Sequence, residues 1–184
     1  TLTWQGIDSF ILKDKPTQKW QITPEVKEEK GLKSQKATTS WGGRRWTAWF
    51  IAEIPFQEGP YKFSGLPGLI SEIYDDKDNY HFKLVKSQSL PENYVLEIYN
   101  NILEDDRAVE IPYSKFAKMK LQTYAMPLKA AHDGTFDISK TPLTTENGSV
   151  ISTDRQLREY EENERKMLKK YNNPIELDKA IHYP

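Results

Sequence analysis

The chain has 184 residues, a formal net charge of −1 and no cysteine. A chain of this length can bury a core as one domain without covalent cross-links. Because 26 Lys and Arg are balanced by 27 Asp and Glu, no long-range field would recruit nucleic acid. The lack of cysteine excludes disulfides, thiol catalysis and cysteine-ligated metal centres, and no apolar run is long enough to cross a bilayer.

The first half of the chain has the polar and apolar alternation of β-strands. Residues 33–41 and 44–52 alternate in this way, and Gly42-Gly43 between them predicts a tight antiparallel hairpin. Residues 69–74 and 80–85 predict a second hairpin, and residues 94–99 continue the pattern. Successive hairpins of this kind predict an antiparallel sheet that packs one face on the core.

The second half of the chain changes to a helical period. The residues from Tyr113 to Tyr124 have an apolar spacing of three and four and lie between two prolines, which predicts a helix. Residues 130–152 predict a loop or linker, and residues 153–171 predict a second helix capped by Thr153 or Asp154. The apolar face of this helix is expected to hold Leu157, Tyr160, Met167, Leu168 and Tyr171. We therefore expect a single domain over residues 1–184, of the α+β class: a curved antiparallel sheet with two helices, the C-terminal one long and amphipathic.

The most informative stretch is EGPYKFSGLPGLISEI, residues 58–73, which joins the two predicted hairpins. Proline locks φ, and glycine permits positive φ or close backbone approach, so such residues specify a backbone shape. Two interpretations of this loop stay open: an apolar plug at one end of the sheet, or a preordered rim that binds a partner. The residues to which one of these roles is assigned are Gly59, Pro60, Gly65, Leu66, Pro67, Gly68, Leu69 and Ile70.

The string GLPGLI at residues 65–70 resembles the name-giving motif of the GLPGLI family, and the resemblance extends over most of the chain. Trp49-Phe50, Glu53-Ile54-Pro55 and residues 59–63 are similar to the block that precedes that motif. Residues 35–37, residues 43–44 and the segment NNPIEL at residues 172–177 resemble further positions of the family. Ser34 stands where the family often has cysteine, so no thiol role proposed for the family transfers to this chain.

This resemblance implies a secreted or periplasmic protein from Bacteroidota, of a family without an established function. It also implies an envelope partner such as a TonB-dependent transporter, because members are often encoded near such transporters. The start at Thr1 without Met is consistent with a removed signal peptide or a trimmed chain, and relatives usually carry further strands before this region.

No catalytic or metal motif stands out in the sequence. Asp75, Asp76 and Asp78 alternate like cation ligands, but a polar hairpin turn is the favoured explanation, because Asp is common in turns for its local hydrogen bonds. His81, His132 and His182 have no metal-ligand spacing. Ser64 and Ser71 lack a nucleophile motif, and Glu53 and Glu58 form an ordinary carboxylate pair. We therefore predict no catalytic residue, no metal and no cofactor.

A cationic and aromatic surface is a further candidate site. Arg44 and Arg45 lie among Trp41, Trp46 and Trp49, a combination that can bind sugars, peptides or anions. We interpret Arg44 and Trp46 as candidate ligand-facing side chains and Trp49 as a core residue. The resulting function hypothesis is a non-catalytic envelope protein that binds a peptide, an apolar ligand or another protein. The alternative is a hydrolase that uses carboxylates or a serine near the central loop.

Overall fold

A computed structural model describes residues 2–5, 8–14, 16–29, 31–89, 91, 108–145 and 148–184 of the chain. The chain divides into two compact units, where the sequence had led us to expect one domain. Unit 1 consists of Thr1–Val109 and Pro174–Lys179, and unit 2 of Glu110–Asn173 and Ala180–Pro184. No helix among the described residues is long and apolar enough to cross a membrane.

Unit 1 is built on a five-stranded antiparallel sheet whose strands follow one another in chain order. An antiparallel hairpin of two short strands, β1 (Leu2–Gln5) and β2 (Asp8–Ile11), precedes it. The sheet strands are β3 (Gln21–Glu29), β4 (Leu32–Trp41), β5 (Arg44–Ile51), β6 (Leu69–Asp75) and β7 (His81–Lys83). A two-residue strand, β8 (Val109–Glu110), comes at the boundary between the units.

The two predicted hairpins are confirmed, and the α+β class is correct. The first turn is made by Gly42 and Gly43 with φ of 61° and 72°, the left-handed values that a two-residue turn of this type requires at both positions. β6 and β7 form the second hairpin. The predicted strand at residues 94–99 lies outside the described residues.

The five-stranded sheet has one apolar face and one polar face, and strand β5 shows the division. Trp46, Ala48 and Phe50 are each at most 1% exposed and belong to the core of unit 1, whereas Arg45, Thr47 and Trp49 alternate onto the other face. The opposed residue pairs extend this pattern across the sheet, since Ala37 and Ile73 flank Ala48 on the core side. We call the side of Thr47 and Trp49 the outer face.

Unit 2 contains three α-helices where two were predicted, and the long loop expected at residues 130–152 has structure of its own. The helices are α1 (Tyr113–Ala125), α2 (Lys129–His132) and α3 (Asp154–Lys170). Between α2 and α3, β9 (Leu143–Thr144) pairs with β10 (Val150–Ile151), and Ile138, Ile151 and Leu157 form a small core. Helix α3 begins with a capping box between Thr153 and Gln156.

The buried face of α3 differs from the prediction. Met167 and Tyr171, which we placed on the apolar face, are 48% and 64% exposed, whereas Glu161 is buried. The Glu161 carboxylate is satisfied by His132 Nε2 at 2.8 Å and by Arg165 Nη2 at 3.5 Å. A charged residue on a buried face breaks the periodicity on which the prediction depended.

Candidate functional site

The loop between β5 and β6, residues 52–68, closes one end of the core; we call it the central loop. Phe63 and Leu66 are fully buried in the core of unit 1. The Phe63 ring lies 4.6 Å from that of Trp46 and 5.1 Å from that of Trp41, both at steep angles. These edge-to-face contacts are favourable for aromatic pairs, and they support the interpretation of the loop as an apolar plug.

Backbone hydrogen bonds fix the shape of the central loop. The amide of Leu69 donates to the carbonyl of Ile54 at 3.1 Å, and that of Ile70 donates to Glu58 at 3.0 Å. Gln18 and Trp20 tie the loop to the segment before β3, since the Trp20 indole donates to the Ser64 carbonyl at 2.8 Å. Pro67 remains exposed at the surface, as does Gly65.

Arg44 and Trp46 are interior residues, so the prediction that they face a ligand is wrong. Trp46 is 1% exposed and packs against Phe63, and Arg44 is 5% exposed. The Arg44 guanidinium donates from Nη1 to Asp75 Oδ2 at 2.8 Å, and both side chains of this pair are almost fully buried. The prediction failed because the alternation of β5 has the opposite phase to the one we assumed.

Asp75 is a buried residue whose two carboxylate oxygens both accept hydrogen bonds from the protein. Besides Arg44, its carboxylate accepts a hydrogen bond from the Tyr80 amide at 2.8 Å and one from the Asn79 side chain at 3.3 Å. Burial works to raise the pKa of Asp75, but these hydrogen bonds outweigh it and hold the pKa below its usual value. No group of three or more His, Asp or Glu in the described chain is arranged to hold a metal ion.

The segment Pro174–Lys179 is held against the turn between β4 and β5. Arg44 donates from Nε to the carbonyl of Ile175 at 3.1 Å and from Nη2 to that of Pro174 at 2.8 Å. A Cβ on Gly43 would lie 2.9 Å from the Asp178 amide. The part of the chain that resembles the family ending NNPIEL thus covers the buried ion pair.

Two carboxylates and two lysines form a closed ring of ion pairs, which we call the charge ring. Lys62 contacts Asp14 at 2.7 Å and Glu176 at 2.6 Å, and Lys179 contacts the same two residues at 2.6 and 2.5 Å. Hydrogen bonds from Lys179 and Lys62 lower the pKa of Asp14 to about 2. Burial opposes the charge on Glu176, but bonds from Lys179, Lys62 and Tyr61 keep its pKa below the usual value.

Arg45 is exposed, and Trp49, which we had interpreted as a core residue, is half-buried and lies outside the core of unit 1. Both lie on the outer face, and the Lys27 ammonium is 4.6 Å from the centre of the Trp49 ring. Lys27 also pairs with Glu72, whose carboxylate accepts a hydrogen bond from His81 Nε2 at 2.9 Å. The alternation of strand β5 places Arg45 and Trp49 on the same face, but it does not say which face of the strand is buried.

A polar hollow of about 520 Å³ lies at the Arg45 end of the outer face. Its lining includes side chains from β3, β4 and β5. Gln21, Thr38 and Thr47 lie opposite one another and form one row across the three strands, and Ser40 and Arg45 form a second row. Lys19 and Asp76 complete its rim. The hollow presents hydroxyl, amide and guanidinium groups, a set that suits a polar ligand.

An apolar groove of about 570 Å³ lies between the central loop and strand β7. Phe56, Leu84 and Val85 line it with 58%, 42% and 94% of their surfaces exposed. Gly59, Pro60, Leu69 and Ile70 of the predicted loop site also line it. Leu66 of the central loop therefore plugs the core, and its neighbours form one wall of a groove. That this wall binds a partner stays a prediction.

The candidate catalytic residues are not brought together. The Ser71 hydroxyl donates to the Trp49 carbonyl at 3.1 Å, and in the described chain neither Ser64 nor Ser71 is hydrogen-bonded to a histidine through its hydroxyl. His81 and His132 lie in different units, each against a carboxylate. A serine whose proton is given to a backbone carbonyl is not activated by a base.

Residues 8–72 match the model of a family described as a protein of unknown function (Porph_ging). No curated protein sequence matches the chain. Two solved structures of PNGF-II, in C2 and P21 crystal forms, are similar to 61% and 62% of the chain, with 15% and 14% identity and a TM-score of 0.42 in both cases. The matched region of those proteins is 20% and 21% of their length, so this chain spans about a fifth of them.

Proposed function

We propose that this chain is a GLPGLI-type binding protein of the bacterial envelope, which takes an extended, apolar peptide segment of a partner into the groove beside the central loop. The single observation that carries the proposal is the exposure of Phe56, Leu84 and Val85 around one concave surface. Apolar side chains gathered at a concave surface are typical of binding sites, whereas scattered ones are ordinary.

The backbone beside the groove suits an extended partner. β7 ends the order of the sheet, and among the described strands it pairs with β6 alone. The pairing continues one residue further, because the Leu84 amide donates to the Ser71 carbonyl at 2.8 Å. A strand edge offers backbone donors and acceptors to an added strand, and neighbouring pockets then select its side chains.

The rigid wall of the groove favours binding. Gly59 and Pro60 are held by backbone bonds of the central loop, including that from Ile70 to Glu58. A preformed wall loses little conformational entropy when a ligand binds. Glu58, Lys83 and Lys86 line the same groove, and Lys83 is paired with Glu29, so the charges of the groove select a peptide less strongly than its apolar side chains do.

The alternative function, a hydrolase that uses carboxylates or a serine near the central loop, has less support. The Ser71 hydroxyl is engaged by a backbone carbonyl. A location in the periplasm or at the outer membrane, and a partner such as a TonB-dependent transporter, belong to the proposal through the resemblance to the GLPGLI family.

Selection from a library of short random peptides tests the groove. The intact chain is expected to enrich peptides with alternating apolar residues, and Phe56→Ser or Val85→Lys should abolish their binding, because each change puts a polar group on one wall. Both residues are more than half exposed, so neither change should unfold the protein. Val150→Lys, at a residue of unit 2 that is 52% exposed, is the matched control and should bind as the wild type does. Peptides that bind Val85→Lys equally well, or a failure to enrich any, would contradict the proposal.

A further inference from the structure

The polar hollow on the outer face is a second candidate site, separate from the apolar groove. It differs from the groove in its residues: Gln21, Thr38, Ser40 and Thr47 supply amide and hydroxyl groups, and Lys19 and Arg45 supply positive charge. We propose that this hollow binds an acidic saccharide, a ligand that carries a carboxylate together with several hydroxyl groups.

The charges of the hollow are the first argument. Three of the four lysines on the strands of this sheet have carboxylate partners: Lys27 pairs with Glu72, Lys36 with Glu25, and Lys83 with Glu29. Lys33, at the far end of β4 from the hollow, forms no ion pair within the described residues. In the part of the chain that the structure describes, the side chains of Lys19 and Arg45 form no ion pair, and Asp76 is the one carboxylate among the lining residues. Two cations against one acid leave a positive site that complements an anion.

Arginine is the side chain best suited to hold a carboxylate. Its planar guanidinium can donate two parallel hydrogen bonds to the two oxygens. Arg45 is exposed on the outer face. Its neighbour Arg44 is buried and donates hydrogen bonds to Asp75 and to two backbone carbonyls. Of the two arginines of this hairpin, Arg44 is therefore part of the buried interior and Arg45 lines the hollow.

The uncharged groups are the second argument. Thr39 and Thr23 use their hydroxyls on backbone carbonyls, those of Lys19 and Lys36. The side chains of Gln21, Thr38, Ser40 and Thr47 make no hydrogen bond to the described parts of the chain. Groups that both donate and accept, set in two rows across three strands, match the donors and acceptors of sugar hydroxyls.

The outer face also offers an aromatic ring at the end of one row. Tyr74 is the residue opposite Thr47 on β6; it lies beside the lining of the hollow, is half-buried, and has the His81 ring 5.3 Å from its own. Tyrosine and similar rings present a flat apolar face beside a polar edge, which the less polar face of a sugar ring can cover. Apart from Trp46, which is 1% exposed, the hollow is lined by residues with hydroxyl, amide or charged groups. An apolar peptide therefore gains less here than in the apolar groove, so the two sites favour different ligands.

Isothermal titration calorimetry with trigalacturonate tests the proposal. Arg45→Gln is expected to weaken binding by about tenfold or more, since a hydrogen bond to a charged group is lost. Thr47→Val should weaken it by a smaller factor, while Lys118→Gln, an exposed lysine of unit 2, is the matched control and should leave affinity unchanged. Higher salt should also weaken binding, because the site is exposed.

Two further ligands separate the parts of the proposal. The fully methyl-esterified trisaccharide lacks the carboxylates and should bind as weakly to the wild type as the acid form binds to Arg45→Gln. Inorganic phosphate tests a bare anion and should not displace the trisaccharide at equal concentration. Equal affinity for the ester and the acid, an unaffected Arg45→Gln variant, absence of binding, or displacement by phosphate would each overturn the proposal. Val85→Lys should retain saccharide binding, so failure at the groove and failure at the hollow are distinguishable.

Discussion

Gly68 lies against the backbone of β5, and a side chain there has no room. A Cβ built on it would be 2.3 Å from the Ile51 carbonyl oxygen and 2.8 Å from the Ala52 Cα. Backbone atoms cannot move aside as the end of a flexible side chain can, so the loop or the strand must shift. We expect Gly68→Ala to lower the free energy of unfolding of unit 1 by about 3 kcal/mol, as overpacked sites do.

Gly65 provides the matched control for this prediction within the same loop. It has φ of 85°, but nothing lies within 4 Å of the position of its Cβ. Gly65→Ala should therefore cost about 1 kcal/mol, from the left-handed conformation alone. Urea unfolding followed by tryptophan fluorescence reports on unit 1, because all five tryptophans lie in its range. Equal costs for the two variants would contradict the steric argument.

At the scale of the residue, the sequence predicted which side chains matter but not which way they point. Neighbouring residues of a strand face opposite sides. Arg44 and Arg45 therefore had to lie on different faces, and composition does not say which. The phase is set by contacts distant in sequence, such as those of Arg44 with Asp75 and Pro174. Because the assumed alternation was shifted by one residue, we predicted an exposed Arg44, whereas Arg44 is in the buried ion pair and Arg45 is exposed.

At the scale of the element, the Arg44–Asp75 pair joins the ends of β5 and β6 to the segment Pro174–Lys179. A buried ion pair is costly to break, since removal of one charge leaves the other without compensation. Asp75→Ala should therefore destabilise unit 1 by about 3–5 kcal/mol. The double variant Arg44→Met/Asp75→Leu should recover most of this loss, because apolar residues can replace a buried pair.

Chemical unfolding of the wild type, the single variant and the double variant measures both effects. Arg155→Ala removes one partner of an exposed pair with Glu159, and it should leave stability almost unchanged, as is usual for surface pairs. If the double variant is no more stable than Asp75→Ala, then the hydrogen bonds of Arg44 to the carbonyls of Pro174 and Ile175 contribute more than the ion pair does.

The elements themselves were largely predictable because their signals are local. Gly42-Gly43 specified its hairpin, and Pro112 with Pro127 bounded helix α1. Structure within residues 130–152 was not predicted, because β9 and β10 have two residues each and depend on packing with Ile138 and Leu157. The apolar groove was missed for a similar reason: its walls come from the central loop and from β7, and their proximity is a property of the sheet order.

At the scale of the whole molecule, the two units are interleaved in sequence. Unit 1 is completed by Pro174–Lys179, which follows most of unit 2 along the chain. The charge ring joins this segment to Asp14, which is 165 residues away from Lys179, and to Lys62 of the central loop. Such long-range pairing cannot be read from local sequence patterns.

The charge ring gives unit 1 a specific dependence on pH. The folded pKa of Asp14 is about 2 against an ordinary value of 3.8, and that of Glu176 lies below its ordinary 4.5. Groups with a lowered folded pKa stabilise the protein fully above their unfolded pKa, and this contribution disappears as pH falls toward the folded value. We therefore expect unit 1 to lose stability as the pH falls from about 5 to about 2, the window set by these carboxylates.

Glu176→Gln tests this dependence, because it removes one carboxylate of the ring and keeps the size of the side chain. The variant should be less stable than the wild type at neutral pH, and its stability should fall less steeply between pH 5 and pH 2 (both approximate limits). Urea unfolding at a series of pH values, read by tryptophan fluorescence, measures this slope for unit 1. Glu159→Gln changes an exposed carboxylate of unit 2 and should leave the curve of unit 1 as it is in the wild type. Parallel curves for Glu176→Gln and the wild type would contradict this prediction, because they would show that ionisation of Glu176 contributes nothing to the pH dependence of unit 1.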